Sequence, residues 1–138
     1  MATTSVAAHL RVVVARTARR LRQEGGTDLS PSQTSALAAI ERHGPLTPSE
    51  LAACERIQRP TATRVIARLE EAGLVERAAD PADGRSSLVS VTGEGRTLLE
   101  HLRTRKDAFL ARRLAGLDAE EIAVLERAAD ILERVLAE

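Results

Sequence analysis

A short polar turn followed by a strand-like segment is the feature that most constrains the fold of this 138-residue chain. Residues 80–85 read Asp-Pro-Ala-Asp-Gly-Arg, and residues 87–92 read Ser-Leu-Val-Ser-Val-Thr. An Asp-Gly pair between two strand-like segments is a strong signal of a β-hairpin. We therefore predict two strands, Leu74 to Ala78 and Ser87 to Val91, joined by a turn from Asp80 to Arg85 with an arginine at its tip.

Helical patterns flank this hairpin on both sides. Ser30-Pro31 and Thr47-Pro48 each combine a hydroxyl cap with proline at the first helical position, and Glu50 completes a capping box with Thr47. Glycines mark several of the helix ends. The order is four helices, two strands and two helices, with helices predicted over 5–23, 31–43, 48–54, 59–72, 92–115 and 119–136.

The helix from Arg59 to Ala72 has two unlike faces. Apolar residues spaced i, i+3, i+4 and i+7 predict the side that faces the core, namely Ala62, Val65, Ile66 and Leu69. The opposite side is small and polar, which lets a helix enter a major groove, where arginine pairs with guanine and threonine contacts phosphate or a thymine methyl group. The candidate DNA-binding residues of this helix are Arg59, Pro60, Thr61, Thr63, Arg64 and Arg68.

The charges of the chain are balanced overall but segregated along it. The 20 basic and 20 acidic residues give a net charge of zero. Five arginines and no acid lie between Arg11 and Arg22, whereas seven acids and two arginines lie between Asp118 and Glu138. A neutral chain can still bind nucleic acid when its charges are segregated. Since 19 of the 20 basic residues are arginine, an arginine alone is weak evidence for a phosphate contact.

The remaining composition narrows the class of protein. Phe109 is the single aromatic residue, so the core must be aliphatic, which suits packed helices. One cysteine, Cys54, excludes an internal disulfide and fits a reducing compartment. No apolar run approaches the roughly 20 residues that span a bilayer. We therefore expect a cytoplasmic protein without a membrane segment.

Catalytic, metal and cofactor sites are not predicted. The sequence contains no Ser-His-Asp order, paired-acid cleft, P-loop or G-x-G-x-x-G motif, so an enzyme is not expected. The histidines His9, His43 and His101 are scattered and lack the spacing of metal ligands. Cys54 follows two alanines at the end of a short helix, and we expect it to be a small buried core residue, not a sensor of oxidants.

Several of these segments resemble the MarR family of bacterial transcriptional regulators. The resemblance covers nearly the whole chain, and its most specific element is the Asp-x-Arg motif of the hairpin, Asp83-Gly84-Arg85. It implies a mainly α fold with a small β-hairpin wing: a winged helix-turn-helix DNA-binding domain at 30–95, flanked by long dimerisation helices at 1–29 and 96–138. The other segments that carry it are 46–52, 59–64, 69–77 and 91–96.

The resemblance also implies how such a protein binds its target. A homodimer would place two recognition helices in successive major grooves of a pseudo-palindromic operator, about one helical turn apart. Arg85 would enter the flanking minor groove, where narrow A·T-rich segments attract arginine. Asp83 would hold the Arg85 guanidinium through a charge-assisted hydrogen bond. Repression is the more usual outcome in the family and is our default expectation.

Two questions stay open at the level of the sequence. Members of the family often respond to phenolic or aromatic acids, and Arg16, Arg19 and Arg20 are candidates for a pocket that binds a small anionic or phenolic effector. The alternative to a DNA-binding regulator is a winged-helix protein-interaction module without specific DNA binding. A gel-shift experiment with the DNA upstream of the gene separates the two.

Overall fold

The fold is mainly helical, with one small antiparallel sheet. The computed structural model describes residues 2–137, within which there are six helices and two strands. The predicted fold class, element order and hairpin are therefore confirmed. In chain order the elements are α1 (Ala2–Gly25), α2 (Pro31–His43), α3 (Pro48–Glu55), α4 (Arg59–Glu71), β1 (Val75–Ala79), β2 (Ser87–Val91), α5 (Gly93–Leu114) and α6 (Ala119–Leu136).

Capping boxes begin α2 and α3. The Ser30 hydroxyl accepts a hydrogen bond from the Gln33 backbone N–H at 3.1 Å, and the Gln33 side chain accepts one from the Ser30 N–H at 3.0 Å. Thr47 and Glu50 form the same reciprocal pair, with both bonds at 3.1 Å. These bonds satisfy backbone N–H groups that a helix start leaves without an intrahelical partner. The box at Thr47 is the one that the sequence predicts.

Left-handed residues end three of the helices. Gly26 follows α1 with φ 66°, and Gly73 follows α4 with φ 75°, conformations that glycine adopts without a steric penalty. Arg56 ends α3 with φ 53°. A non-glycine residue seldom adopts this conformation, so the sequence does not predict how α3 ends.

The core lies where α4 packs against α2, α3 and the sheet. The four apolar residues of α4 that were predicted to face the core are all buried. Because these residues hold one side of α4 against the core, the opposite, polar side of the helix faces solvent. The largest completely buried side chains of this core are Leu37, Ile40, Leu51, Ile66, Leu69 and Val89.

The two strands form an antiparallel hairpin. Its register runs from Val75 opposite Val91 to Ala79 opposite Ser87. The prediction placed the first strand one residue too early. Leu74 lies outside the strand pairing because its N–H is bonded to a carbonyl in the last turns of α4.

Two further connections attach the hairpin to the helices. Leu46, in the loop between α2 and α3, exchanges two backbone hydrogen bonds with Val89 of β2, at 3.0 and 2.7 Å. Thr92, between β2 and α5, donates its hydroxyl to the Gly73 carbonyl at 2.7 Å and accepts from the Gly95 N–H at 3.1 Å. One threonine thus joins the end of α4 to the start of α5.

The long helices α1 and α6 carry apolar surface that their own chain leaves uncovered. The second half of α1 packs on α5, but its first half and the whole of α6 have no buried residue. No helix within residues 2–137 is long and apolar enough to cross a membrane. Among these residues, the exposed large apolar side chains all lie on α1 and α6: Val6, Leu10, Val13, Val14, Ile122, Val124, Leu125, Ile131, Val135 and Leu136.

Gly95 is predicted to tolerate no side chain. A Cβ at Gly95 would collide with the Leu74 carbonyl oxygen and the Val91 side chain. We expect Gly95→Ala to lower the free energy of unfolding by about 1–3 kcal/mol, as overpacking typically does. Urea denaturation at a fixed protein concentration measures the change.

Gly93 provides the matched control in the same helical turn. Among the described atoms nothing lies within 4 Å of a Cβ at Gly93. Gly93→Ala should therefore leave stability unchanged or raise it slightly, because alanine favours the helix. Equal effects of the two substitutions would contradict the close contact at Gly95.

Candidate nucleic-acid interface

The outer side of α4 gathers the residues that the sequence selected. Thr61 is half-buried, and the others face solvent. Gln58 precedes the helix, and in the described part of the chain its side chain forms no capping bond. The first N–H groups of α4 are thus left for an external acceptor, and phosphate is a suitable one. The exposed residues of this surface are Arg59, Pro60, Thr63, Arg64 and Arg68.

Local hydrogen bonds orient two of these side chains. The Thr63 hydroxyl donates to the Arg59 carbonyl at 3.1 Å. The Arg64 guanidinium lies near the Thr61 hydroxyl, with a nitrogen–oxygen distance of 3.4 Å. A bond this long is weak, so Arg64 can leave Thr61 for a base or a phosphate.

Three arginines give this surface its charge. Within residues 2–137, no carboxylate lies within 4.0 Å of the guanidinium groups of Arg59, Arg64 or Arg68. Arg77 differs, because its Nε lies 3.2 Å from Glu70 Oε1 and so joins β1 to α4. The outer side of α4 is therefore positively charged without internal compensation.

A shallow cavity lies between α4 and the start of α2. Its volume is about 390 Å³, and Arg64 and Arg68 are at its edge together with Thr61 and Val65. Ser30 and Gln33 form the α2 side. Sequence reasoning missed these two residues as neighbours of α4, because Ser30 was assigned only a capping role and Gln33 was assigned none.

The loop between the strands is wider than a two-residue turn. The Asp80 N–H donates to the Ser86 carbonyl at 3.1 Å, and the Ser86 N–H donates to the Asp83 carbonyl at 3.0 Å. Two aspartate side chains accept backbone hydrogen bonds two residues on: Asp80 from Ala82 at 2.9 Å and Asp83 from Arg85 at 3.1 Å. Such bonds are the usual way that aspartate shapes a turn.

The Asp83-Gly84 pair predicts a tight hairpin turn, but Gly84 does not adopt the left-handed conformation that such a turn uses. It is not among the glycines with positive φ, and within the described structure nothing lies within 4 Å of a Cβ added there. The loop 80–86 is shaped by the aspartate side chains, and the conformational freedom of glycine is not required.

Arg85 projects from the tip of this loop into solvent. Its side chain is 95% exposed, and that of Asp83 is 53% exposed. The Arg85 Nε lies 3.6 Å from Asp83 Oδ1, which is too long for a hydrogen bond. The expected contact between Asp83 and the guanidinium is therefore present as an ion pair without a hydrogen bond, and Asp83 also accepts a hydrogen bond from the backbone N–H of Arg85.

The arginines expected to form an effector pocket do not act as one group. Arg16 and Arg20 line a cavity of about 320 Å³ beside Phe109, with walls from α1 and α5. Arg19 is exposed and is not among the residues that line it. A different cavity, of about 440 Å³, lies where α1, α2 and α5 meet, and its cationic residues are Arg22 and Lys106. This second cavity could not be predicted from local sequence patterns, because the residues that line it are far apart in the chain.

Cys54 is exposed, so the expectation that it is buried is wrong. The buried residues of α3 are Pro48, Leu51 and Ala52. At about 100° per residue, Cys54 lies on the opposite side of the helix from Ala52. Nothing in the part of the chain that the structure covers groups three or more metal-ligating side chains.

Comparison with known proteins identifies the family. The model of the MarR family matches residues 27–86. An uncharacterised HTH-type transcriptional regulator of Mycobacterium bovis is 41% identical over 128 residues, which cover 92% of this chain and 90% of the relative. The chain belongs to the MarR family. The multiple antibiotic resistance protein MarR of Salmonella typhimurium is 33% identical over 100 residues, which cover 72% of this chain and 69% of that protein.

Solved structures of MarR-type proteins share the fold. A transcriptional regulator of Pseudomonas aeruginosa is 38% identical, with a TM-score of 0.87 over 99% of this chain and 96% of that one. A MarR family protein of Bacillus stearothermophilus is 25% identical, with a TM-score of 0.86 over the same shares. This MarR family chain is a DNA-binding transcriptional regulator, and the expectation that it is not an enzyme is confirmed.

The bond from Asp83 to the Arg85 backbone can be tested by two substitutions. Asparagine keeps the side-chain oxygen that accepts this bond, whereas alanine removes it. We expect Asp83→Asn to retain the slow hydrogen exchange of the Arg85 amide and Asp83→Ala to lose it, as measured by NMR. Loss in both variants would mean that the carboxylate charge, and not the acceptor oxygen, orders the loop.

Proposed function

We propose that this MarR family chain acts as a homodimeric repressor on a pseudo-palindromic operator. The proposal rests on two features that occur together: a basic surface on α4 without nearby carboxylates, and the solvent-exposed Arg85 on the loop between β1 and β2. Each protomer would read two grooves, with α4 in the major groove and the loop 80–86, the wing, in the minor groove. Acting on DNA, the protein would work in the cytoplasm, in association with the nucleoid.

In this proposal α4 supplies both positioning and sequence readout. Arg64 and Thr61 would contact bases, because Arg64 is exposed in the second turn of the helix and its guanidinium lies 3.4 Å from the Thr61 hydroxyl. Arg59 and Thr63 would contact phosphates beside the uncapped helix start, with Pro60 between them packing against the sugar–phosphate chain. Arg68 lies one turn further on and would reach the flanking phosphate.

The wing would add a contact that depends on groove width. Asp83 shapes the backbone of the loop and leaves the Arg85 guanidinium unpaired by a hydrogen bond. Gly84 adds no side chain beside it, so the tip stays narrow. An arginine whose side chain is 95% exposed suits a narrow A·T-rich minor groove, whose negative potential attracts it.

The uncovered apolar surface of α1 and α6 supports a dimer. Exposed apolar patches of this kind are uncommon on monomers and usually mark an interface. A second copy is the simplest partner, because MarR family regulators act as dimers and a two-fold protein matches a palindromic site. We propose that residues 1–29 and 96–138 dimerise while 30–95 bind DNA.

An anionic effector would fit best in the cavity where α1, α2 and α5 meet. Its walls come from both the proposed dimerisation helices and the DNA-binding unit. A ligand bound there can therefore stabilise one position of the DNA-binding unit relative to the dimerisation helices over another. Arg22 and Lys106 provide cations, and Thr34 and Ser35 provide hydroxyl groups. The cavity beside Arg16 and Arg20 is less suitable, because α2 contributes nothing to it.

Operator binding should depend on Arg85 and on salt. We expect Arg85→Ala to weaken binding by about 1–3 kcal/mol. Arg59, Arg64 and Arg85 together offer a dimer about six charges, so log affinity should fall against log salt with a slope of about −5, and the variant's slope should be shallower by about 2. Fluorescence anisotropy with DNA from upstream of the gene measures both quantities.

Arg42→Ala is the matched control, since Arg42 is exposed in the last turn of α2 and lies outside α4, the wing and the proposed dimerisation helices. It should leave affinity and slope unchanged. A wild-type slope near zero would contradict DNA binding and favour the protein-interaction module. If Arg64→Ala weakens binding and Arg85→Ala does not, the result would support the contact of α4 with DNA and contradict the contact of the wing.

Effector binding should depend on Lys106. We expect a small benzoic or phenolic acid to raise the melting temperature of the wild type and to release DNA, and Lys106→Gln to reduce both effects because the carboxylate loses its cation. Thermal-shift and anisotropy measurements over a panel of such acids test this.

Arg19→Gln is the control, because Arg19 lines neither cavity. An unchanged response in Lys106→Gln would place the ligand elsewhere. The absence of a response to any acid of the panel would contradict an aromatic-acid effector and would leave DNA binding unaffected.

A further inference from the structure

A cluster of arginines surrounds the single aromatic ring of the chain. The guanidinium carbons of Arg20 in α1 and Arg113 in α5 each lie 5.2 Å from the centre of the Phe109 ring. Arg16 lines the same cavity of about 320 Å³. Phe109 is 8% exposed and forms the floor. We call Arg16, Arg20 and Arg113 the arginine patch.

The arginine patch is short of negative charge. Within residues 2–137, Glu24 is the one carboxylate that pairs with it, 3.1 Å from Arg20. Arg16 and Arg113 have no carboxylate within 4.0 Å in this part of the chain. Like charges held around one ring repel each other unless an anion joins them. The patch therefore favours carboxylates or another anion from outside its own chain.

Helix α6 carries carboxylates in a matching pattern. Glu126, Asp130 and Glu133 are spaced i, i+4 and i+7, so that they form one row along the helix. We call them the acidic row. None of them forms an ion pair within the described structure, and all three are exposed. The row borders the apolar stripe of the same helix, which consists of Ile122, Leu125, Ala129, Leu132 and Leu136.

The arginine patch borders an apolar stripe in the same way. At about 100° per residue, Val6, Leu10 and Val13 share one side of α1, and Arg16 and Arg20 lie along one edge of it. Both stripes are exposed, except for the half-buried Leu132 of α6. Each helix therefore presents an apolar surface with charges along one edge, basic on α1 and acidic on α6. Charged residues that border an apolar seam set which helices pair, as in coiled coils.

We propose that the acidic row of one protomer binds the arginine patch of a second copy of this chain. The proposal rests on the homodimer proposed above and adds which surfaces meet in it. When the stripe of α6 covers the stripe of α1 from the other protomer, the carboxylates lie against the arginines around Phe109. Two-fold symmetry forms this contact twice, so three arginines and three carboxylates meet in each of two places.

A second copy explains more than a small anion would. A free anion in the cavity could balance the charge of the arginine patch, but it would leave both apolar stripes and the acidic row exposed. Pairing the two helices covers all of these surfaces at once. Complementary charges of this kind contribute mainly to the choice of partner and the speed of association.

Charge reversal in two separate variants tests the pairing. The first variant carries Arg16→Glu, Arg20→Glu and Arg113→Glu, and the second carries Glu126→Arg, Asp130→Arg and Glu133→Arg. Each variant alone brings like charges together, so its dimer dissociation constant should rise by at least about tenfold at low salt. Mixing the two should restore a dimer, because both contacts in the mixed dimer are complementary. Analytical ultracentrifugation at low and high salt measures the constants, and circular dichroism checks that each variant is helical.

The control variant carries Arg19→Glu and Arg112→Glu, which change charge on the same helices outside the arginine patch, and it should dimerise like the wild type. A monomeric wild type would overturn the homodimer and this pairing together. A wild-type dimer that neither reversal weakens, or that mixing fails to restore, would overturn the pairing and leave the homodimer. Stabilisation of the wild type by benzoate or phosphate that the first variant loses, with dimerisation unchanged, would identify a small anion as the occupant.

Discussion

Burial of one side of α4 is the interaction on which the rest of the molecule depends. Ala62, Val65, Ile66 and Leu69 are fixed against α2, α3 and the sheet, and the transfer of such side chains from water contributes about 1.5–3 kcal/mol for each large one. With the inner side fixed in this way, the arginines and threonines on the other side have one direction in which to point. In the proposed complex, recognition of DNA would thus follow from packing, and no separate element would be needed to orient the outer side of α4.

The apolar side chains at the two ends of the chain are not buried in the same way. The first half of α1 and the whole of α6 have helical apolar patterns, but their own chain supplies no core to receive them. A protein that hides part of its surface only in an assembly couples its stability to its concentration. The regulator's capacity to bind a two-fold site would then rise and fall with its abundance.

Local patterns predicted the elements well and their mutual contacts poorly. The period of apolar residues selected the buried side of α4, and the hydroxyl–proline–glutamate pattern at Thr47 located a helix start, because both depend on neighbours in the chain. The prediction that Cys54 is buried was wrong, because Cys54 lies two residues after the buried Ala52 and therefore on the opposite side of α3. The contact of Asp83 with the Arg85 guanidinium is present as an ion pair, but the hydrogen bond that Asp83 accepts from the Arg85 backbone N–H was not foreseen. The cavity between α1, α2 and α5 joins segments far apart in the chain, which no local pattern reports.

The two hydrogen bonds of the Thr92 side chain couple any tilt of α5 to the position of α4. Its 22 residues span about 33 Å, and its first turn is joined through Thr92 to the end of α4 and to the sheet. A tilt of α5 by about 5° about its far end would move this junction by about 3 Å, close to the rise of one base pair. The separation of two such junctions in a dimer would change by up to twice that amount. In the proposed dimer, small rotations among the long helices would therefore be enough to change the spacing of the two α4 helices relative to successive major grooves of the DNA.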